Sequence, residues 1–220
     1  MRKFLISLCT VAAIGAMASL AVNAGVPEIS GKSVVAPMGG GNVLPAQAQP
    51  KGYSLMRLAE TTAAFNVTDH SGPPPKVPFQ MLILRGDNEP FHVRPGTMLY
   101  VPILYNSDSP PVVGNYPDVT DRAALLNYWY SQREFGVVYT NITVDGRVVS
   151  LGPDYLVGVK FATPLPDTAM QYMTVAAVLT PLTKGQHTVE ISALATGDAI
   201  KALTGGADYQ FSVGYTVIVK

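Results

Sequence analysis

From Phe79 onward, apolar and polar positions fall into short runs divided by turn signals. The runs are "FQMLIL" (79–84), "FHV" (91–93), "TMLYVPILY" (97–105), "VVYTNITV" (137–144), "RVVSL" (147–151), "YLVGVKF" (155–161), "QYMTVAAVLT" (171–180), "HTVEISAL" (187–194) and "YQFSVGYTVIV" (209–219). Each is rich in β-branched or aromatic residues, which predicts about nine strands. Alternation is clearest in the last, where Phe211, Val213, Tyr215, Val217 and Val219 share one face and Gln210, Ser212, Gly214 and Thr216 the other. Val189, Ile191 and Ala193 likewise alternate with Thr188, Glu190 and Ser192, so both runs describe strands with one buried and one solvated side. Asp145-Gly146 supplies the positive-φ pair that a two-residue hairpin requires. Pro95-Gly96 is a turn into "TMLYVPILY", within which Pro102 calls for an edge position or a bulge.

Two segments carry helical spacing instead. "YSLMRLAETTAAFN" places Leu55, Leu58, Ala59 and Thr62 on one face behind Ser54 as N-cap. "PDVTDRAALLNYWYSQREFG" has Asp118 or Thr120 as caps, Ala123, Leu125, Leu126 and Trp129 in its body, Arg133 in its last turn and Gly136 as terminator. The pattern therefore predicts a mainly β fold: an antiparallel sandwich or jelly-roll-like domain with one inserted α-helix and a short N-terminal helix.

The N-terminus changes the setting. Arg2 and Lys3, an apolar stretch from Phe4 to about Leu20 and a small-residue ending at Ala24 have the order of a secretory signal peptide, residues 1–24. Residues 25–52, proline-rich with Gly39-Gly40-Gly41, form a flexible or extended lead-in, and 53–220 a single β-rich domain. The chain is expected to be secreted or periplasmic, with no membrane span once the signal peptide is removed. Cys9, the only cysteine, lies in the segment to be cut, which removes disulfides, thiolate metal sites and cysteine nucleophiles from the mature chain. Without Arg2 and Lys3 there are 13 basic residues against 15 acidic and no basic stripe, so nucleic acid is not an expected partner.

The runs "FHVRPGTMLYVPIL", "ITVDGRVVSLGPDYLVG" and "AAVLTPLTKGQHTVEISA" occur in an order that resembles poorly characterised secreted bacterial β-sandwich-like proteins, over about residues 79–195. These have a Val-x-Pro-Gly turn, then a "VDG" hairpin, then a "PL-x-x-G-x-H-T" strand entry. The resemblance implies a secreted sandwich domain and carries over no catalytic residue.

Candidate chemistry is sparse. His70, His92 and His187 show no metal-ligand spacing, and neither Gly-x-Ser-x-Gly nor Ser-x-x-Lys occurs. Asp108, Asp118 and Asp121 offer oxygen ligands for calcium, although their spacing matches no EF-hand loop. No cofactor is expected. What stands out is the density of rings between Phe91 and Tyr139, which either fill a helix–sheet contact or bind sugars and apolar ligands. The leading expectation is a non-catalytic binding or structural domain whose unknown extracellular ligand or protein meets Tyr105, Asn106, Asp108, Tyr116, Tyr128, Trp129 and Tyr130. One alternative is an extracellular hydrolase using His92 or His187 with nearby carboxylates; another is an extracellular assembly or matrix subunit.

Overall fold

The computed structural model describes residues 42–70, 72–84 and 89–220. Its strands are β1 (Gln80–Met81), β2 (Phe91–Val93), β3 (Leu99–Ser107), β4 (Val137–Val144), β5 (Arg147–Ser150), β6 (Leu156–Lys160), β7 (Gln171–Leu179), β8 (Gly185–Ala195) and β9 (Tyr209–Val219). Its helices are α1 (Leu55–Asn66), α2 (Arg122–Tyr130) and α3 (Asp198–Thr204). Two sheets, ordered β1-β3-β7-β6 and β2-β9-β8-β4-β5, enclose the main core, making a mainly β, sandwich-like domain. The expected signal peptide, residues 1–24, and the expected lead-in as far as residue 41 lie outside the described residues. No described helix is long and apolar enough to cross a membrane.

Every strand expected from the pattern forms, but pairing is not purely antiparallel. β1 runs parallel to β3 and β2 parallel to β9. Neither pair is joined by a hairpin: the chain visits the other sheet between β1 and β3, and a connection of that kind leaves direction free. Pro102 sits beside a register shift between Pro102 and Leu104, the expected bulge. Asp145 (φ 48°) and Gly146 (φ 80°) close the hairpin that pairs Val144 with Arg147.

β7 is buried on both sides. Met173, Val175, Ala177 and Leu179 enter the inter-sheet core, while Ala176 and Val178 pack with Leu55, Leu58 and Phe65 of α1. That double burial explains the nearly unbroken apolar run "YMTVAAVL". α1 is capped by Ser54, whose side chain accepts from the Arg57 amide, and it buries the expected face. Residues 42–52 do not run free of the domain. Val43 bridges Leu179, the Leu44 amide donates to the Val178 carbonyl at 2.9 Å, and Tyr155 Oη donates to the Leu44 carbonyl at 2.9 Å. Beyond Val175, where pairing with β6 ends, this segment occupies the edge of β7.

The inserted helix is shorter than its pattern, and a second one accompanies it. Asp121 is the actual N-cap of α2, accepting from Ala123 and Ala124 amides, whereas Asp118 closes a separate turn with Thr120. α2 ends at Tyr130, before Arg133, because residues 132–136 bond instead to 196–199: Asp198 N donates to Gln132 O at 2.7 Å and Thr196 N to Gly136 O at 2.9 Å. α3 escaped the pattern because Ile200 is its one fully buried residue, so it carries no apolar stripe. Its C-cap Gly205, at φ 75°, is the local signal that marks its end.

Candidate functional site

The loop and helix rings selected from sequence mostly build the protein. Tyr128 and Trp129 are buried in the inter-sheet core, and Trp129 stacks on Phe135 with ring centroids 4.9 Å apart and planes 3° from parallel. Neither offers a face to a ligand. Asn106 is also buried; its Nδ2 donates to Tyr128 Oη at 2.8 Å, and that hydroxyl donates to the Val113 carbonyl at 2.6 Å. Tyr116 Oη donates to the Asn106 carbonyl at 3.2 Å. Burial pushes both phenols well above their ordinary range, with Asp108 adding to it at Tyr116 and Glu134 at Tyr128. The loop from Asn106 to Asp121 is thus a knot of internal hydrogen bonds. It also covers the outer edge of β6, where Val119 lies against Gly158 and the Arg122 guanidinium donates to the carbonyls of Leu156 and Pro153, each at 2.7 Å. Tyr130 stays partly exposed, without a neighbouring ring from this set.

The three aspartates do not converge. Asp108 Oδ1 accepts from the amides of Met170 and Gln171 at 2.7 and 2.9 Å. Asp118 holds Thr120 and faces Lys160 at 3.5 Å, and Asp121 caps α2. Among the described residues no three His, Cys, Asp or Glu side chains gather as a metal site would require.

The histidines are likewise dispersed. His92 is exposed on the short strand β2. His187 does meet an acid: its Nδ1 lies 2.7 Å from Asp145 Oδ2, but its Nε2 lies 2.9 Å from the Thr183 carbonyl. Both partners accept, so the ring is held as a doubly protonated donor, the opposite of a general base. The Asp145 contact, then the Thr183 carbonyl, raise the His187 pKa against the opposing effect of burial. Burial opposes ionisation of Asp145, but bonds from His187 and the Thr188 amide outweigh it and hold the carboxyl below its ordinary value.

The stability from this clasp is therefore complete below His187's unfolded value of 6.5 and is lost as pH rises through the higher folded value. Asp145's share is lost only in acid, below 3.8. We expect the denaturation midpoint to fall between about pH 6 and pH 8.5, and the fall to be smaller in His187→Gln. Identical pH profiles for the two proteins would mean that the clasp contributes nothing.

A concave region does exist between the two sheets, beside the end of β1. Among the described residues β1 pairs with β3 only at Leu99 and Tyr100, and the last bond of that edge is Leu82 N to Tyr100 O at 2.9 Å. Two residues further along β3, Pro102 has no N–H with which to extend the ladder, and the bulge turns the strand. Leu82, Ile83 and Leu84 leave sheet geometry here. On the facing sheet β8 presents small residues to the first half of β9, Ala193 opposite Phe211 and Ala195 opposite Tyr209.

The result is an apolar cleft of about 60 Å³. It runs from Ile191, Phe211 and Val213, past Ile103 and Tyr105 at the edge of β3, to Asn66 and His70 at the end of α1. Asn66 is engaged with Tyr172 Oη at 2.9 Å. A wider, open cavity of about 430 Å³ adjoins it, lined by Phe65, Asp69, Pro74 and Pro75 among others, and the two share His70, Ile83 and Leu84 as a wall.

Tyr105 is the sequence-selected residue that lines the cleft. The others there were missed because "TDHSGPPPKVP" reads as a breaker and Phe211 and Val213 as ordinary core positions. The usable signal was Pro102 in a strand otherwise suited to the centre of a sheet.

No protein-family model and no curated protein matches the chain. Among solved structures, the solution structure of Amebosin aligns with 66% of this chain and 100% of that one at 11% identity. The TM-score of that alignment is 0.26, too low to carry an argument about fold or function.

Proposed function

We propose that this chain is a secreted, non-catalytic binding domain that holds an apolar group of a ligand in the cleft between β3 and β9. The carrying observation is the cleft itself, walled by Ile103, Tyr105, Ile191, Phe211 and Val213 between the two sheets. A water molecule needs roughly 10–15 Å³ on this scale, so the space takes on the order of four waters, or one ring or short branched alkyl group. An apolar ligand is better supported than a sugar, because Tyr128 and Trp129, on which a sugar would stack, are buried. The hydrolase alternative has less support: His187 is held as a double donor, and His92 stands exposed on an outer face.

Toluene at millimolar concentration is expected to shift the methyl NMR signals of Ile103, Ile191 and Val213. Val213→Phe, which fills the cleft from a half-buried position, is expected to abolish those shifts while the far-UV spectrum is retained. Unmoved methyl signals in the native protein would end this reading.

A further inference from the structure

The cleft has one polar group poised at its boundary with the open cavity. His70 adopts a positive φ of 62°, a conformation that histidine tolerates better than most residues. Its ring lies on Phe65, with centroids 4.9 Å apart and planes within 20°. With one face occupied by Phe65, the edge of the imidazole, which carries its nitrogens, is what remains for hydrogen bonding. Its backbone amide is bonded to Thr68 Oγ1, but the ring nitrogens have no hydrogen-bond partner among the described residues. The ring is half buried, so this bonding capacity is held at the wall shared by the two spaces.

Resting on the binding function proposed above, we propose that the ligand is an amphiphile: a ring or short branched alkyl end enters the cleft, and an uncharged, hydrogen-bonding head meets the imidazole of His70. The imidazole edge presents two ring nitrogens for hydrogen bonding, which suits a hydroxyl, ester or amide. A carboxylate head is disfavoured because seating it at the mouth of an apolar cleft strips part of its hydration. His70 is then the residue that selects the head, and the cleft walls select the tail.

Three ligands of one ring size separate the two parts: toluene, benzyl alcohol and benzoate, titrated into the full-length chain and followed by NMR of the cleft methyl groups and the His70 imidazole. Benzyl alcohol is expected to bind about five-fold more tightly than toluene, the worth of one net hydrogen bond, and to move the His70 ring signals where toluene does not. His70→Phe keeps a ring on Phe65 but removes the nitrogens, and is expected to equalise the two. If this variant does not fold, the His70 ring signals of the native protein decide the matter alone. Equal affinities for toluene and benzyl alcohol in the native protein, or benzoate binding as tightly as the alcohol, would overturn the inference and leave the cleft as an apolar site. Failure of toluene and benzyl alcohol alike to move the cleft methyl groups would instead remove the underlying reading.

Discussion

Trp129→Ala is expected to lower the free energy of unfolding by about 4 kcal/mol, the range for deleting a fully buried aromatic side chain. Trp129 has no solvent exposure and is stacked against Phe135, itself buried, within the core that joins α2 to both sheets. Alanine would leave a void that neighbours from three different elements cannot all collapse to fill. Its Nε1, however, is buried without a hydrogen-bond partner among the described residues. Trp129→Phe therefore removes an uncompensated polar group along with part of the volume, and should cost only about 1 kcal/mol. Urea denaturation followed by far-UV circular dichroism measures both, with the m-value expected to stay constant. As the sole tryptophan, Trp129 should itself report unfolding in the native chain by a red shift in emission. A loss below 1 kcal/mol for the alanine variant would mean that this ring is not core and would restore it as a contact residue.

Gly197→Ala is expected to cost about 3 kcal/mol or more, for steric rather than conformational reasons. Gly197 has an ordinary φ of −66°, but an added Cβ would lie 2.5 Å from the carbonyl carbon of Phe135 and 2.6 Å from its oxygen. These are backbone atoms and cannot rotate away. Gly136 meets the same contact from the other side: a Cβ there would lie 2.5 Å from Gly197 N and Cα, and its φ of 65° adds a second penalty. The two glycines let the chain leaving α2 lie against the chain entering α3, and the bonds of Thr196 and Asp198 to Gly136 and Gln132 depend on that approach. Gly152→Ala is the matched control. It has φ −77° and nothing within 4 Å of the added methyl group, so its effect should stay within about 0.5 kcal/mol. If Gly197→Ala were as mild as Gly152→Ala, the interlock of these loops would be looser than described.

The strand runs, the cap at Ser54 and the Asp145-Gly146 hairpin were legible in the sequence because each is decided within a few residues. Alternation reports one buried face, a hydroxyl reports a free amide, and a positive-φ pair reports a tight turn. The same logic misplaced the start and end of α2. Asp118, Thr120 and Asp121 are all competent caps, and the choice of Asp121 depends on Asp118 being held by Thr120 and Lys160. Arg133 and Gly136 look like a helix ending, but 132–136 are claimed by a segment some sixty residues later.

For the candidate site, the ring-rich stretch includes Tyr105, which lines the proposed cleft, and neighbours that the fold buries. Whether a tyrosine faces a ligand or a core is not a property of its own segment. Tyr128 and Tyr116 are drawn inward by the carbonyls of Val113 and Asn106, and Trp129 by Phe135.

By itself, then, the amino-acid sequence determined that this protein is mainly β, which runs form its strands, and that Pro102 interrupts one of them. Tertiary structure alone decided which sheet each strand joins, that two pairs run parallel, and that β1 stops short of Pro102. That mismatch opens the cleft, and it arises because strand pairing is a contact between distant segments whose cost and reward no local pattern records.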